Sequence, residues 1–320
     1  MTATPIGDAQ DRRPSPTGNL RDLAWAESGW ERSVAMPNDA EQLVAARIAR
    51  WPELVGRPIT RLGGGLRTLN ARIGDDRVAR IALTPETDLR KEAALLRLVR
   101  ADVRVPEVID GDGRALLLEY VPHEELPASI DAARSVGRAA AAIHRHRFDA
   151  SGHLSADLRV SEPFPSALDG LRGWADSALA GTAGRRLGDL AGRIGRLWDR
   201  EDALLRAVST KPCLVHSDFK PANVKWLPDT RDVVVFDWEF AWSGPAVFDL
   251  GQFLRWNVPE PFIGAMSAAY VQSGGELPDR WRRAAELLDL FNLVGFFDHD
   301  ESRPIRDRNV LQRIGETLAR

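Results

Sequence analysis

The chain has one cysteine, Cys213, among 320 residues. It can form no internal disulfide, which excludes the stapled scaffolds of small secreted proteins. Lysine is nearly as scarce: Lys91, Lys211, Lys220 and Lys225 are the only four among 43 basic residues. Arginine-for-lysine usage on that scale reads as coding bias, so a lysine kept against it deserves inspection. No charge sign dominates, since 46 acidic residues slightly outnumber the 43 basic ones. That balance argues against a general polyanion binder and against a nucleic-acid partner. No apolar run approaches the roughly 20 residues of a membrane-spanning helix. The first twenty residues lack the basic-then-apolar order of a secretory signal. A cytoplasmic protein without a membrane partner is therefore expected. There is no internal repeat.

What is present is an ordinary globular composition, 44% hydrophobic and 28% charged, long enough for two lobes. Residues 1–37 begin with a stretch rich in Pro, Gly, Thr and Asp and read as a disordered or loosely ordered lead. Asn38 is placed to cap a helix through Leu43, Ala46 and Ile48. From Pro58 to Val121 the pattern is mostly strand-like. A strand leads into Gly63-Gly64-Gly65, and two strands follow, Leu69–Ile73 and Arg77–Leu83. Helical spacing then runs from Asp88 to Arg100 (Leu89, Ala93, Leu96, Val99), with Asp88 able to cap it. Strand character returns at Ala115–Val121.

A Gly-rich turn between strands lets backbone N–H groups approach phosphate, although most such triplets are simply turns. Val78 and Arg80 share one strand face and can lie beneath that turn. Glu92, on the following helix, can pair with the Arg80 guanidinium; the bland alternative is a surface Arg and a solvated Glu.

The segment richest in chemistry is Leu214-Val-His-Ser-Asp-Phe-Lys-Pro-Ala-Asn-Val-Lys-Trp226, followed by Asp232-Val-Val-Val-Phe-Asp-Trp-Glu-Phe240. His216, Asp218, Lys220 and Asn223 fall in a short Pro-containing loop after an apolar strand, and a second buried strand ends at Asp237. A carboxylate at a strand end, facing a loop with another carboxylate and an amide, suits Mg²⁺, which takes hard oxygen ligands and substrate phosphates.

His216-x-Asp218-x-Lys220-x-x-Asn223 matches the protein-kinase catalytic loop in its His, Asp and Asn positions. The continuation differs: Trp238-Glu239 replaces Phe-Gly, and no Ala-Pro-Glu follows. Instead Asp237-Trp-Glu, then Gly244-Pro245 and Asp249-Leu250 resemble the aminoglycoside phosphotransferase and choline-kinase-like family, as does Ala142-Ile-His144. The similarity covers roughly residues 55 to 300.

The resemblance implies an α+β, bilobal protein-kinase-like fold. Its small N-lobe would be an antiparallel sheet with one helix, and its C-lobe mainly helical. Residues 38–121 would form the nucleotide-binding lobe and 122–320 the catalytic and acceptor-binding lobe. ATP or GTP would lie between them as donor, with Mg²⁺. Carried over by position, Asp218 is the catalytic aspartate, and Asn223 and Asp237 are metal ligands. Gly63, Gly64, Gly65, Val78, Arg80 and its helix partner Glu92 belong to the nucleotide site. The backbone of Glu119, Tyr120 and Val121 is the hinge that meets the base. Arg80 departs from the lysine of protein kinases, and the turn lacks a full Gly-x-Gly-x-x-Gly. Lys220 reaches the γ-phosphate or braces the loop. His216 is read as a buttress.

Helical patterns at residues 130–144, at 164–208 (two or three helices) and at 261–320 make up the remainder. Most tryptophans in this half are expected in the core, with one or two left to stack on a flat or sugar-like acceptor. Glu239 and the run Asp298, Asp300, Glu301 are candidate contacts for a cationic acceptor, a solvated helix end being the alternative. Asp249 is expected to accept backbone N–H bonds, and Cys213 to be apolar filler. The sequence therefore reads as a small-molecule O-phosphotransferase acting on a hydroxyl, of antibiotic-modifying type. The alternatives are a metabolic kinase of choline, homoserine or sugar type and a nucleotide-binding pseudokinase that acts by interaction.

Overall fold

The computed structural model describes residues 40–62 and 67–320, together with Leu20 and Trp30. Strands β1 (Ile59–Arg61), β2 (Thr68–Ile73), β3 (Arg77–Ala82), β4 (Val108–Gly111) and β5 (Ala115–Glu119) form an antiparallel sheet ordered β1-β2-β3-β5-β4. Strand alternation assigns its two faces. Leu69, Ala71, Ile73, Ala79, Ile81, Ala115 and Leu117 form one core with Val44 and Ile48 of helix α1 (Ala40–Ile48). The intervening residues, among them Leu116 and Leu118, face a second core that includes helix α2 (Arg90–Val99). Arg80 lies in β3 between Ala79 and Ile81, so the pleat turns it to this second face, in register with Leu116. Asp88 accepts the Arg90 amide at 3.0 Å just ahead of α2, but the N-cap position is Leu89, one residue later than expected, and no side chain caps it.

Beyond β5 the chain becomes mainly helical. Helix α3 (Ile130–His144), capped by Ser129, packs on α9 (Glu260–Gln272). The two approach so closely at Gly137 that a Cβ there would stand 2.2 Å from the Met266 carbonyl oxygen. The stretch expected to hold two or three helices holds four: α4 (Ala167–Ala180), α5 (Thr182–Leu187), α6 (Asp189–Arg200) and α7 (Asp202–Val208). Breaks at Gly181, at Gly188 (φ +56°) and at Glu201 divide a continuous periodic pattern. Strands β6 (Gly152–Leu154), β7 (Val160–Pro163), β8 (Pro212–Val215) and β11 (Trp242–Pro245) make a sheet ordered β7-β6-β11-β8, while β9 (Val224–Leu227) and β10 (Asp232–Val235) form a hairpin. Helices α8 (Val247–Leu254), α10 (Trp281–Gly295) and α11 (Pro304–Ala319) complete the lobe.

Several bonds join the two lobes. Arg80 reaches Asp237, Lys91 of α2 donates to the Ala241 carbonyl at 3.2 Å, and Arg104 bridges to Val234. Trp198 and Trp238 are fully buried, as expected of core tryptophans, whereas Trp174 on α4 is 44% exposed. Among the described residues no helix is long and apolar enough to cross a membrane.

Candidate active site

The loop after β8 is held from beneath by α8. Asp249, fully buried, accepts the His216 amide at 2.7 Å and the Ser217 amide at 2.8 Å. Gln252, one turn later, accepts the Phe219 amide at 3.1 Å and donates to the Ser217 carbonyl at 2.7 Å. These bonds hold Ser217 in the left-handed region (φ +65°), which a non-glycine residue adopts only when its surroundings enforce it. Tyr270 and His144 extend the support: His144 Nε2 meets Asp249 at 3.1 Å, and its Nδ1 meets the Tyr270 hydroxyl at 2.9 Å.

His216 is itself committed on both ring nitrogens. Its Nδ1 accepts the Asp218 amide at 3.2 Å, so Nε2 carries the proton donated to the Phe236 carbonyl at 2.9 Å. The imidazole thus ties the loop to the strand end that carries Asp237. Within the loop, Asp218 Oδ2 lies 2.9 Å from Lys220 Nζ and accepts from Asn223 Nδ2 at 2.7 Å. Asn223 Nδ2 also donates to the Asp218 carbonyl, and the Asn223 carbonyl accepts the Phe236 amide at 2.9 Å.

Across the cleft, Arg80 links two carboxylates. Its Nε donates to Glu92 at 2.8 Å and its Nη2 to Asp237 at 2.7 Å. Burial works against the charge on Asp237, but the Arg80 guanidinium, with Lys220 beyond it, holds the carboxyl below its ordinary pKa. Glu92 is more deeply enclosed, and burial pushes its pKa up although Arg80 opposes it. Glu239, half-buried, rises to about 7 because it is desolvated and faces the Asp237 charge. Asp237 adopts φ +67°, a second left-handed non-glycine residue at the same site.

The donor set fits a magnesium ion. Both amide-nitrogen bonds of Asn223 go to Asp218, which leaves Oδ1 as the Asn223 ligand atom, and Arg80 occupies only Oδ1 of Asp237. Two hard oxygen donors suffice where phosphate oxygens supply more of the shell. No group of three or more His, Cys, Asp or Glu able to hold a metal occurs among the described residues.

The other expected residues are placed as follows. Gly63, Gly64 and Gly65 lie outside the described residues. Val78 is half-buried on the Arg80 face of β3. At the strand end the Glu119 carboxylate is occupied by Arg104 (2.8 and 2.5 Å) and by the Glu107 amide, and its own amide donates to the Glu107 carbonyl at 2.9 Å, so a base could meet its backbone only at the carbonyl. The Tyr120 amide donates to the Asp76 carbonyl and the Val121 carbonyl accepts from His123. Asp298, Asp300 and Glu301 fall on the loop between α10 and α11, where Glu301 pairs with Arg303 at 2.8 Å. Sequence reasoning missed Gln252, Tyr270 and Arg104. Gln252 had a legible signal, a polar residue three after Asp249 in the otherwise apolar run VFDLGQFL.

Solved structures share this architecture. A protein from Thermobifida fusca assigned as a fructosamine-3-kinase is 22% identical, with a TM-score of 0.65 over 87% of this chain and 99% of its own. A macrolide 2′-phosphotransferase from Brachybacterium faecium is 20% identical, with a TM-score of 0.64 over 85% and 98%. A choline/ethanolamine kinase family protein from Mesorhizobium loti is 18% identical, with a TM-score of 0.62 over 88% and 94%. At these identities the likeness shows the fold. No protein of curated function matches the sequence. The profile of the phosphotransferase enzyme family does match, over residues 58–287, the span that carries Arg80, Glu92, the Asp218 loop, Asp237 and the α8 support. The chain belongs to the phosphotransferase enzyme family.

Proposed function

We propose that the protein transfers the γ-phosphoryl group of ATP or GTP to a hydroxyl of a small molecule, with Mg²⁺. The observation that carries this reading is the meeting of the Asp218–Lys220–Asn223 cluster with the Arg80–Asp237 ion pair between the lobes. Phosphoryl transfer needs positioning and charge stabilisation more than covalent help. Arg80 Nε and Nη2 are committed to carboxylates, so Nη1 is the group that meets a phosphate oxygen. Asn223 and Asp237 hold the ion, whose bound form offsets charge on the phosphate oxygens. Asp218 aligns the acceptor hydroxyl and takes its proton late, as the oxygen bonds to phosphorus. Lys220, 2.9 Å away, holds that carboxylate in place until then. The hinge backbone of Glu119 and Val121 meets the base, with residues 38–121 as the nucleotide lobe.

Neighbours of the same fold named for antibiotic substrates support an antibiotic-modifying subtype. Those of fructosamine and choline type make a metabolic acceptor the rival. The test is nucleotide consumption over a panel of hydroxylated antibiotics and metabolites, with ³¹P NMR on every active compound. Asp218→Ala should abolish acceptor-dependent turnover and keep Mg²⁺–nucleotide binding. Transfer near the parent rate in that variant would remove Asp218 from the chemistry. No turnover across the panel would favour a nucleotide-binding interaction protein.

A further inference from the structure

Of the four lysines, three are committed to carboxylates: Lys211 to Glu276 at 2.6 Å, Lys220 to Asp218 at 2.9 Å and Lys225 to Glu125 at 2.7 Å. Lys91, half-buried in the first turn of α2, forms no ion pair among the described residues, and its Nζ donates to the Ala241 carbonyl at 3.2 Å. Partial burial disfavours a charge, and the N-terminal end of a helix disfavours a cation. Burial indeed pushes the Lys91 pKa down, while Glu239 and Glu92 oppose the shift. The bond to Ala241 is what sets against both costs.

Ala241 closes the turn that begins at Asp237, just beyond β10. Its amide donates to the Trp238 carbonyl at 3.2 Å, and the Trp238 indole donates to the Val235 carbonyl at 3.2 Å, so the turn is tied to itself and to the strand end. Within it Asp237 holds φ +67°, a conformation that a non-glycine residue keeps only while its surroundings enforce it. Trp242 follows at once and pairs with Val215 of β8, the residue before His216. Lys91 therefore grips the chain between the Asp237 carboxylate and the strand that runs beside the catalytic loop.

Two other cations of the small lobe meet the same turn. Arg80 bonds Asp237 at 2.7 Å, and the Arg67 guanidinium lies 6.0 Å from the exposed Phe240 ring. Arg80 is itself held at 2.8 Å by Glu92, the neighbour of Lys91 on α2. One helix thus fixes both ends of the turn, through Glu92 and Arg80 at Asp237 and directly through Lys91 at Ala241.

We propose that Lys91 is a positioning residue for Asp237: by holding the Ala241 carbonyl it keeps the turn, and with it the carboxylate, in the orientation a magnesium ion requires. It acts through the turn and not on the phosphates. This rests on the phosphotransferase reading above and adds a residue on which its metal site depends.

The probes are ATP and GTP analogues with an uncleavable β–γ bridge, bound to the full chain in excess Mg²⁺ and, separately, in EDTA. The ratio of the two dissociation constants is the gain from the ion. Lys91→Met should reduce this gain by about 5-fold or more, part of the worth of one hydrogen bond from a charged group, and should move the EDTA constant by less than about 2-fold. Lys91→Gln, the milder change, should show the same loss in smaller degree, and Lys91→Arg, which keeps charge and donors, should retain more of the gain than either. Asp237→Ala should remove most of the gain, and Lys91→Met on that background should add less than about 2-fold, since no carboxylate is left to position. With neither ion nor nucleotide present, amide exchange over residues 238–241 should quicken by about 5-fold or more in Lys91→Met. A gain unmoved in both Lys91→Met and Lys91→Gln, an equal loss with and without Mg²⁺, or additive losses in the double variant would overturn the proposal. Unchanged exchange over the turn would do the same. A parent that gains nothing from Mg²⁺ would instead count against the phosphotransferase reading itself, and the proposal would fall with it.

Discussion

Replacing Arg80 by methionine removes the cation that bonds both Glu92 and Asp237. The side chains of Arg80 and Glu92 are 8% and 5% exposed, whereas that of Asp237 is 25% exposed and can draw on water. Breaking a buried pair from one side costs about 3–5 kcal/mol, because a charge is left without compensation. Protonation limits that cost: neutralising a carboxyl of ordinary pKa at pH 7 takes roughly 3–4 kcal/mol, so Glu92 would bind a proton rather than stay charged. At about 2–4 °C per kcal/mol, the Tm of Arg80→Met should fall by roughly 6–16 °C near pH 7. The sign with pH follows. Without Arg80, the folded-state pKa of Glu92 moves further above its unfolded value. Stability is then retained at pH 5 and lost as pH rises through the new pKa. The deficit should therefore be smaller at pH 5 than at pH 7.5. Arg80→Met/Glu92→Leu should recover most of the loss, since an apolar pair of similar volume replaces a buried ion pair at little cost. Thermal melts of parent, single and double variants at both pH values provide the check. A single variant within 2 °C of the parent at pH 7.5, or a double variant no better than the single, would refute the reasoning.

Asp249→Asn should lower Tm by about 6 °C or more, since two charge-assisted bonds to loop amides, worth about 1.5–3 kcal/mol each, lose their charge. Turnover should fall with it, and melts that match the parent would separate α8 from the loop. Gly137→Ala should destabilise by about 1–3 kcal/mol, because its Cβ meets the Met266 carbonyl and Tyr270 amide of α9. Gly264→Ala, on the same α9 but with open space around it, should stabilise by about 0.5–1 kcal/mol, and denaturant titrations compare the two. Burial pushes the Cys213 thiol up to about 12, so at pH 8 it should ignore a thiol-reactive dye until the protein unfolds. Labelling of the folded protein within minutes would contradict its enclosure.

The residues of greatest chemical interest were legible where their geometry is local. His216, Asp218, Lys220 and Asn223 lie within eight residues, and a short loop cannot place them far apart. Arg80 and Glu92 were legible through periodicity, since the strand pleat and the helical turn decide which face each occupies. Asp249 was expected to accept backbone N–H bonds, and it accepts two. The acidic run Asp298 to Glu301 shows how far composition falls short of environment. In the fold, Arg186 donates to the His299 carbonyl and Arg303 pairs with Glu301, contacts that charge counting along the chain does not register.

Fold class and reaction type were thus legible through the family resemblance, which rests on compact motifs whose residues are near neighbours in the chain. The support beneath the loop and the packing at the end of α8 arise otherwise. His144 meets Asp249 across 105 residues, and Trp30 meets Trp256 and Phe296 from the far end of the chain. Such contacts form only when helices pack, and no local pattern announces them. Chain-local chemistry gathers the Asp218 loop, while packing between distant segments builds what supports it and brings Arg80 to Asp237.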